Sequence, residues 1–142
     1  MPILAVKPVM DRRRSPRPQR VLLVDDSDDI RELWRLWLTS WGFTVEEARN
    51  GYQALQAARR AAPALILMDL WMPVVDGVEA LKLLKADART AHVPVVAVSA
   101  QSLTPNAATV VAAGADAVLL KPSDPDVLIE HIRAAMGRRS AC

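Results

Sequence analysis

Apolar residues along this chain fall into short bursts of two kinds that alternate. Val21–Val24 (VLLV) is an unbroken apolar run of strand length, the pattern of a strand buried on both faces. The next apolar residues, Ile30, Leu33, Trp34, Trp37, Leu38 and Trp41, recur at steps of 3, 1, 3, 1 and 3, which is one face of a helix. Ser27 or Asp28 can cap its start, and Gly42 is placed to end it in a left-handed conformation. Phe43 to Ala48 reads as a second strand, Asn50-Gly51 as a turn, and Tyr52 to Ala62 as a helix stopped by Pro63. A strand over Ala64–Met68, ending on Asp69, precedes a helix over Asp76–Ala86 with Val78, Leu81 and Leu84 inward. A strand over Val93–Val98, with Pro94 near its start, precedes a short helix over 104–113 that ends at Gly114. A strand over Ala117–Leu120 precedes the last helix, Pro125–Met136, before Gly137.

Five short apolar strands separated by helices predict an α/β domain whose parallel sheet is covered on both faces. The length, 142 residues, suits one such domain. No apolar run approaches the roughly 18 residues that a membrane-spanning helix needs. The single cysteine, Cys142, cannot form an internal disulfide, which fits a reducing cytoplasm. The net charge of +2 is unevenly placed. Residues 1–20 carry Lys7, Arg12, Arg13, Arg14, Arg17 and Arg20 against Asp11, a net of +5, and the other 12 bases and 15 acids give −3. The same segment holds Pro2, Pro8, Pro16 and Pro18 and shows no helical or strand period. Residues 1–19 therefore read as a weakly ordered or disordered basic arm, 20–137 as the domain and 138–142 as a tail.

In an open parallel sheet, ligands bind outside the carboxyl ends of the strands. Asp25, Asp26 and Asp28 follow the first strand, Asp69 the third, Ser99 the fourth and Lys121 the fifth. Asp25, Asp26 and Asp69 would repel one another unless a cation sat between them, and hard oxygen ligands suit Mg2+. A carboxylate is also a competent nucleophile toward a phosphoryl group, while Lys121 and the Ser99 hydroxyl could pair with its oxygens. Any one acid at a strand end is more often a helix cap or a solvated turn; the coincidence of five polar groups on one edge favours a site. Competing chemistries fit less well. A dinucleotide site wants a glycine-rich turn where this chain has Asp25-Asp26-Ser27-Asp28-Asp29, and no Walker-type phosphate loop occurs. A haloacid-dehalogenase-like phosphatase needs a second acid two residues after its nucleophile, where this chain has Trp71. His92 and His131 are too few and too scattered for zinc.

Over about residues 19–137 the chain resembles the receiver domain of bacterial two-component response regulators. The matching motifs are Asp25-Asp26, Asp69 followed by Met72-Pro73 and Asp76-Gly77, Ser99-Ala100, Gly114-Ala115-Asp116 and Lys121-Pro122. The resemblance implies a flavodoxin-like (βα)5 three-layer sandwich with sheet order 2-1-3-4-5. It also implies phosphorylation by a histidine kinase or a histidine phosphotransfer protein, and a signalling switch rather than an enzyme, with slow self-dephosphorylation at most. By position, Asp69 would be the phosphoacceptor. Asp26, Asp69 and the main-chain carbonyl of Trp71 would ligate Mg2+ (or Mn2+), with Asp25 acting through a bound water. Lys121 would contact the phosphoryl group, and Ser99 would move to bond it after transfer.

The chain departs from that family in three places. Val118 stands where an aromatic switch residue is usual, which puts the hydroxyl–aromatic coupling in doubt. The helix before it, Pro105–Ala113, carries no charge. It reads either as a short alanine-rich helix or as an apolar docking surface that Val110, Val127 or Ile129 would share with Val118. Trp71, two residues after the acceptor, is expected to restrict water and lengthen the phosphoryl lifetime. Trp34, Trp37 and Trp41 are expected to pack in the core, with Trp34 or Trp41 partly exposed.

With about 120 residues in the domain, little remains for an output module. The expected function is a single-domain, cytoplasmic response regulator, monomeric or weakly dimeric, that signals by protein contact. The alternatives are a receiver module of a larger hybrid kinase or transcription factor, and an arm-driven binder of nucleic acid or a membrane surface. The arm lacks interleaved aromatic residues, which argues against nucleic acid.

Overall fold

The unbroken apolar runs form the centre of a sheet because both their faces are covered. The computed structural model describes residues 19–70, 77–99, 107–120 and 124–140. Among these, strands and helices alternate as β1 (Arg20–Val24), α1 (Asp28–Ser40), β2 (Thr44–Ala48), α2 (Gly51–Arg60), β3 (Leu65–Asp69), α3 (Gly77–Ala86), β4 (Val95–Ser99), α4 (Ala107–Ala112), β5 (Ala117–Leu120) and α5 (Pro125–Ser140). The strands pair in parallel in the order β2-β1-β3-β4-β5. This is the flavodoxin-like three-layer sandwich that the alternation and the motif set predicted.

Side chains along β1 divide between the two faces, as the pleat requires. Leu22 and Val24 join one apolar cluster with Ala54, Leu55 and Ala58 of α2 and Leu81 and Leu84 of α3. Val21 and Leu23 join the other, with Trp34 and Leu38 of α1 and Leu128 and Ile132 of α5. Each fully buried side chain of this size is worth about 1.5–3 kcal/mol. The strand ends that carry the acids thus rest on the best-packed part of the molecule.

Local signals explain most element boundaries. Ser27, rather than Asp28, caps α1, and its hydroxyl accepts the Ile30 N–H at 3.3 Å. Gly42 takes φ +96° after α1, and Gly114 φ +119° after α4, a region only glycine enters without strain. Asn50-Gly51 is not a free turn: Asn50 caps α2, accepting the Gln53 N–H at 2.8 Å, and Gly51 begins the helix. Gly137 does not end α5, which runs on to Ser140, so the predicted tail begins inside a helix.

Two expectations about individual apolar residues fail, those for Leu33 and for the pair Val110 and Ile129, while that for the tryptophans of α1 holds. Leu33, counted on the inner face of α1, is 41% exposed, because Arg31 occupies the inner position beside Trp34 and Leu38. Trp34 is buried, while Trp37 and Trp41 are half-buried with ring centroids 6.5 Å apart. Val110 and Ile129 cannot present a docking surface, since Val110 is fully buried in one core cluster and Ile129 lies in the other. Val118 is half-buried against the core cluster containing Val110. Among the described residues, the exposed large apolar side chains on α4 and α5 are instead Val111 and Val127, at 56% and 44%.

Candidate functional site

Three strand ends meet at the carboxyl edge of the sheet. Asp25 immediately follows β1, and its N–H donates to Ala48 O at 3.2 Å, extending the ladder to β2 by one bond. Asp69 is the last residue of β3, opposite Val98 of β4, and the next N–H, that of Leu70, donates to Val98 O at 3.0 Å. The sheet therefore holds the main chain on both sides of the acids. One oxygen each of Asp25, Asp26 and Asp69 lies within 4.8 Å of the others. Asp25 and Asp69 are buried, whereas Asp26 is exposed. Three carboxylates this close, two of them shielded from water, form a hard-oxygen donor set that suits a divalent cation keeping some of its waters.

The geometry separates Asp28 from this group. Its carboxylate turns to Arg31, three residues on, and to Arg49 at 3.5 Å. Those two guanidiniums, led by the Arg31 hydrogen bond, hold the Asp28 carboxyl below the ordinary carboxylate range. Asp25 Oδ1 accepts the Ser27 N–H at 2.8 Å, which tightens the turn into α1.

Ser99 is the last residue of β4, beside Leu120 at the end of β5, so its backbone stands at the same edge as Asp69. Lys121 follows Leu120 directly in the chain. Lys121 and Trp71 lie outside the described residues. His131 is half-buried on α5, and neither ring nitrogen has a hydrogen-bond partner among the described residues. His92 is exposed and lines a cleft of about 290 Å³ at the opposite, amino-terminal edge of the sheet. Neither histidine joins the acids.

Arg31 is the residue at this edge that the sequence patterns did not single out. It is 8% exposed, and its guanidinium donates from Nη1 to Asp25 O at 2.8 Å, from Nε to Glu47 Oε1 at 3.0 Å and from Nη2 to Asp28 Oδ1. Burial alone would lower its pKa, but the bonds to Asp28 and Glu47 outweigh that and raise it. The signal was present in the sequence: a charged residue at an inner position of an otherwise apolar helix face, three residues after an acid.

Comparison with known proteins agrees with this architecture. A family described as "response regulator receiver domain" matches residues 21–133. The polar-differentiation response regulator DivK of Brucella anthropi is 35% identical over 120 residues, spanning 84% of this chain and 98% of that one. The DNA-binding response regulator MtrA of Mycobacterium tuberculosis is 34% identical over 120 residues, but the chain spans only 51% of its length. Among solved structures, the receiver domain of the sensor histidine kinase PA1611 from Pseudomonas aeruginosa superposes with a TM-score of 0.79 at 30% identity, covering 84% of this chain and 98% of that one. That structure has a magnesium ion coordinated in its active-site cleft. Among the described residues of the present chain, no helix is long and apolar enough to cross a membrane. With its sheet order, its acidic edge and a match over residues 21–133, the chain belongs to the response regulator receiver domain family, whose members are signalling switches.

Proposed function

We propose that this chain is a phosphoryl-accepting switch in which Asp69 is the nucleophile. The observation that carries this reading is the approach of Asp25, Asp26 and Asp69 to within 4.8 Å at the carboxyl edge. Asp26, Asp69 and the main-chain carbonyl of Trp71 would hold Mg2+, or Mn2+ in its place, and Asp25 would act through a water on it. The cation, when bound, offsets the negative charge that gathers on the phosphoryl oxygens.

The chain's own residues then divide the work. Asp69 stands at the end of a fully buried strand, so its carboxylate is held rather than mobile. An Asp69 oxygen attacks the phosphorus of a phosphohistidine on a histidine kinase or histidine phosphotransfer protein. The oxygen–phosphorus bond forms as the phosphorus–nitrogen bond breaks, and the imidazole leaves with the electron pair. Lys121 pairs with a phosphoryl oxygen, and Ser99 moves to bond another once transfer is complete. Return to the ground state is hydrolysis: a water oxygen bonds to phosphorus as the Asp69 oxygen–phosphorus bond breaks, releasing inorganic phosphate and the Asp69 carboxylate. Trp71 slows that step by restricting water, so Trp71→Ala shortens the phosphoryl lifetime.

The signal passes to a downstream protein by contact. Among the described residues, Val111 and Val127 are the large apolar side chains of α4 and α5 exposed for it, and half-buried Val118 lies between those helices in sequence. Incubation with acetyl phosphate and Mg2+, followed by intact mass, tests the reading. Gain of one phosphoryl group in the wild type, and none in Asp69→Ala, is expected. No gain in the wild type, or equal gain in Asp69→Ala, would overturn it.

A further inference from the structure

We infer that Arg31 is a positioning residue for the cation site, because its guanidinium fixes the peptide plane between Asp25 and Asp26. The inference rests on the reading that those two acids serve a bound divalent cation. Asp25 is held at three points: its N–H on Ala48 O, its Oδ1 on the Ser27 N–H, and its C=O on Arg31 Nη1 at 2.8 Å. The last of these has a particular consequence. A trans peptide is planar, so the Asp25 C=O and the Asp26 N–H point in opposite directions. Holding the carbonyl against Arg31 therefore sets where the Asp26 Cα leaves the loop, and with it the separation of the two carboxylates.

Arg31 is itself over-determined. Its main-chain N–H donates to Ser27 O at 3.0 Å in the first turn of α1. Its Nε and Nη2 are taken by Glu47 of β2 and Asp28 of α1. Glu47 is braced from the other side by Arg35 Nε at 3.1 Å. Only a planar fork reaches a carbonyl and two carboxylates at once, and a lysine ammonium cannot replace it. Mg2+ demands near-octahedral oxygens at short distances, so a loose Asp25–Asp26 peptide would weaken it.

The sign of the effect separates positioning from simple electrostatics. Arg31 is a cation beside a cation site, so by Coulomb's law alone its removal would tighten Mg2+ binding. Positioning predicts the reverse. In the full chain, Arg31→Met keeps an apolar stem in the core while removing the fork, and calorimetric titration with Mg2+ should show affinity about 10-fold weaker. Arg31→Lys, the milder change, should fall between Met and wild type. Thr90→Ala, which removes a buried hydroxyl bond to Leu84 O at 2.7 Å at the far edge of the sheet, should lower the urea midpoint and leave Mg2+ affinity unchanged. In metal-free protein, the Asp26 amide signal in a 1H–15N spectrum should move in Arg31→Met and stay in place in Thr90→Ala. Unchanged or tighter Mg2+ binding in Arg31→Met, an equal loss in Thr90→Ala, or an unmoved Asp26 signal overturns the inference. Failure of the wild type to bind Mg2+ would count against the phosphoacceptor reading instead, while the Asp26 signal still decides the role of Arg31.

Discussion

Gly77 opens α3 directly against Leu70, so close that a Cβ at Gly77 would lie 2.4 Å from the Leu70 Cα and 2.8 Å from the Asp69 carbonyl oxygen. The Gly77 N–H also donates to Leu70 O at 3.1 Å, which ties the start of α3 to the end of β3. By helix propensity alone, Gly77→Ala would stabilise the protein by up to about 1 kcal/mol. The clash is with backbone, which cannot rotate away, and overpacking of this kind costs about 1–3 kcal/mol. Gly77→Ala should therefore lower stability by about 2 kcal/mol in urea unfolding and, if Asp69 serves the cation as proposed, weaken Mg2+ binding, because the displaced atoms are the Leu70 Cα and the carbonyl oxygen of Asp69 itself. A variant as stable as wild type would show that the loop yields more cheaply than this packing implies.

The fold was legible because its elements announce themselves locally. VLLV and LILM are too uniformly apolar for anything but central strands, and the acids that follow them fall at one edge by topology alone. Three kinds of feature were not legible. The inner place of Arg31 was only hinted at by its spacing from Asp28, since the periodicity of α1 accommodates either Leu33 or Arg31 on its inner face and packing decides between them. Likewise Val110 and Val111 are chemically identical neighbours in a helix without charge, and only the docking of α4 on β5 decides which is buried. The end of α5 was misplaced because glycine at a helix end and glycine within a helix read alike. Among the described residues, nothing lies within 4 Å of the position where a Gly137 Cβ would stand, so packing does not mark the residue either.

The contrast between the two valines is measurable. Val110 is 0% exposed and Val111 56% exposed. Val110→Ala removes two buried methyl-sized groups from the cluster that includes Ala97 and Ala115, and should cost about 1–3 kcal/mol in urea unfolding. Val111→Ala should stay within about 0.5 kcal/mol of wild type. If α4 docked with the opposite face inward, the two effects would exchange.

Acid should weaken the junction between α2 and the loop after α3. Asp87 Oδ2 accepts from Arg59 Nε and Arg89 Nη2, both at 2.9 Å, and Oδ1 accepts the Arg89 N–H at 2.8 Å. The Arg89 side chain, followed by its backbone N–H, holds the Asp87 carboxyl far below its ordinary value. A depressed folded-state value means that the unfolded chain binds the proton more readily. The stabilisation is therefore complete above the unfolded value of about 3.9 and is lost as pH falls through the lower, folded value. Asp87→Asn should be less stable than wild type at pH 7, and the gap should close in strong acid. Urea midpoints for both proteins across that range would show it, and a gap independent of pH would refute the assignment. High salt should shrink the gap at neutral pH, because the groups face solvent.

Asp116 performs two tasks at the start of β4, and they can be separated. Its main-chain N–H donates to Val95 O at 2.8 Å, and its Oδ2 accepts the Val95 N–H, also at 2.8 Å, so both polar groups of Val95 are satisfied from one residue. The same Oδ2 lies 3.6 Å from Lys85 Nζ, which itself donates to Val93 O at 2.7 Å. Val95 is 1% exposed, so an orphaned N–H there would have no water to turn to. Asp116→Ala should thus cost about 3 kcal/mol, for the unsatisfied buried donor and the loosened cation together. Asp116→Asn keeps an acceptor oxygen for the Val95 N–H and loses only the charge, and should cost about 1 kcal/mol. If the two variants were equally destabilised in urea unfolding, the ion pair with Lys85 would be the dominant contact. The predicted order instead assigns most of the effect to the neutral bond, because Lys85 retains Val93 O in either variant.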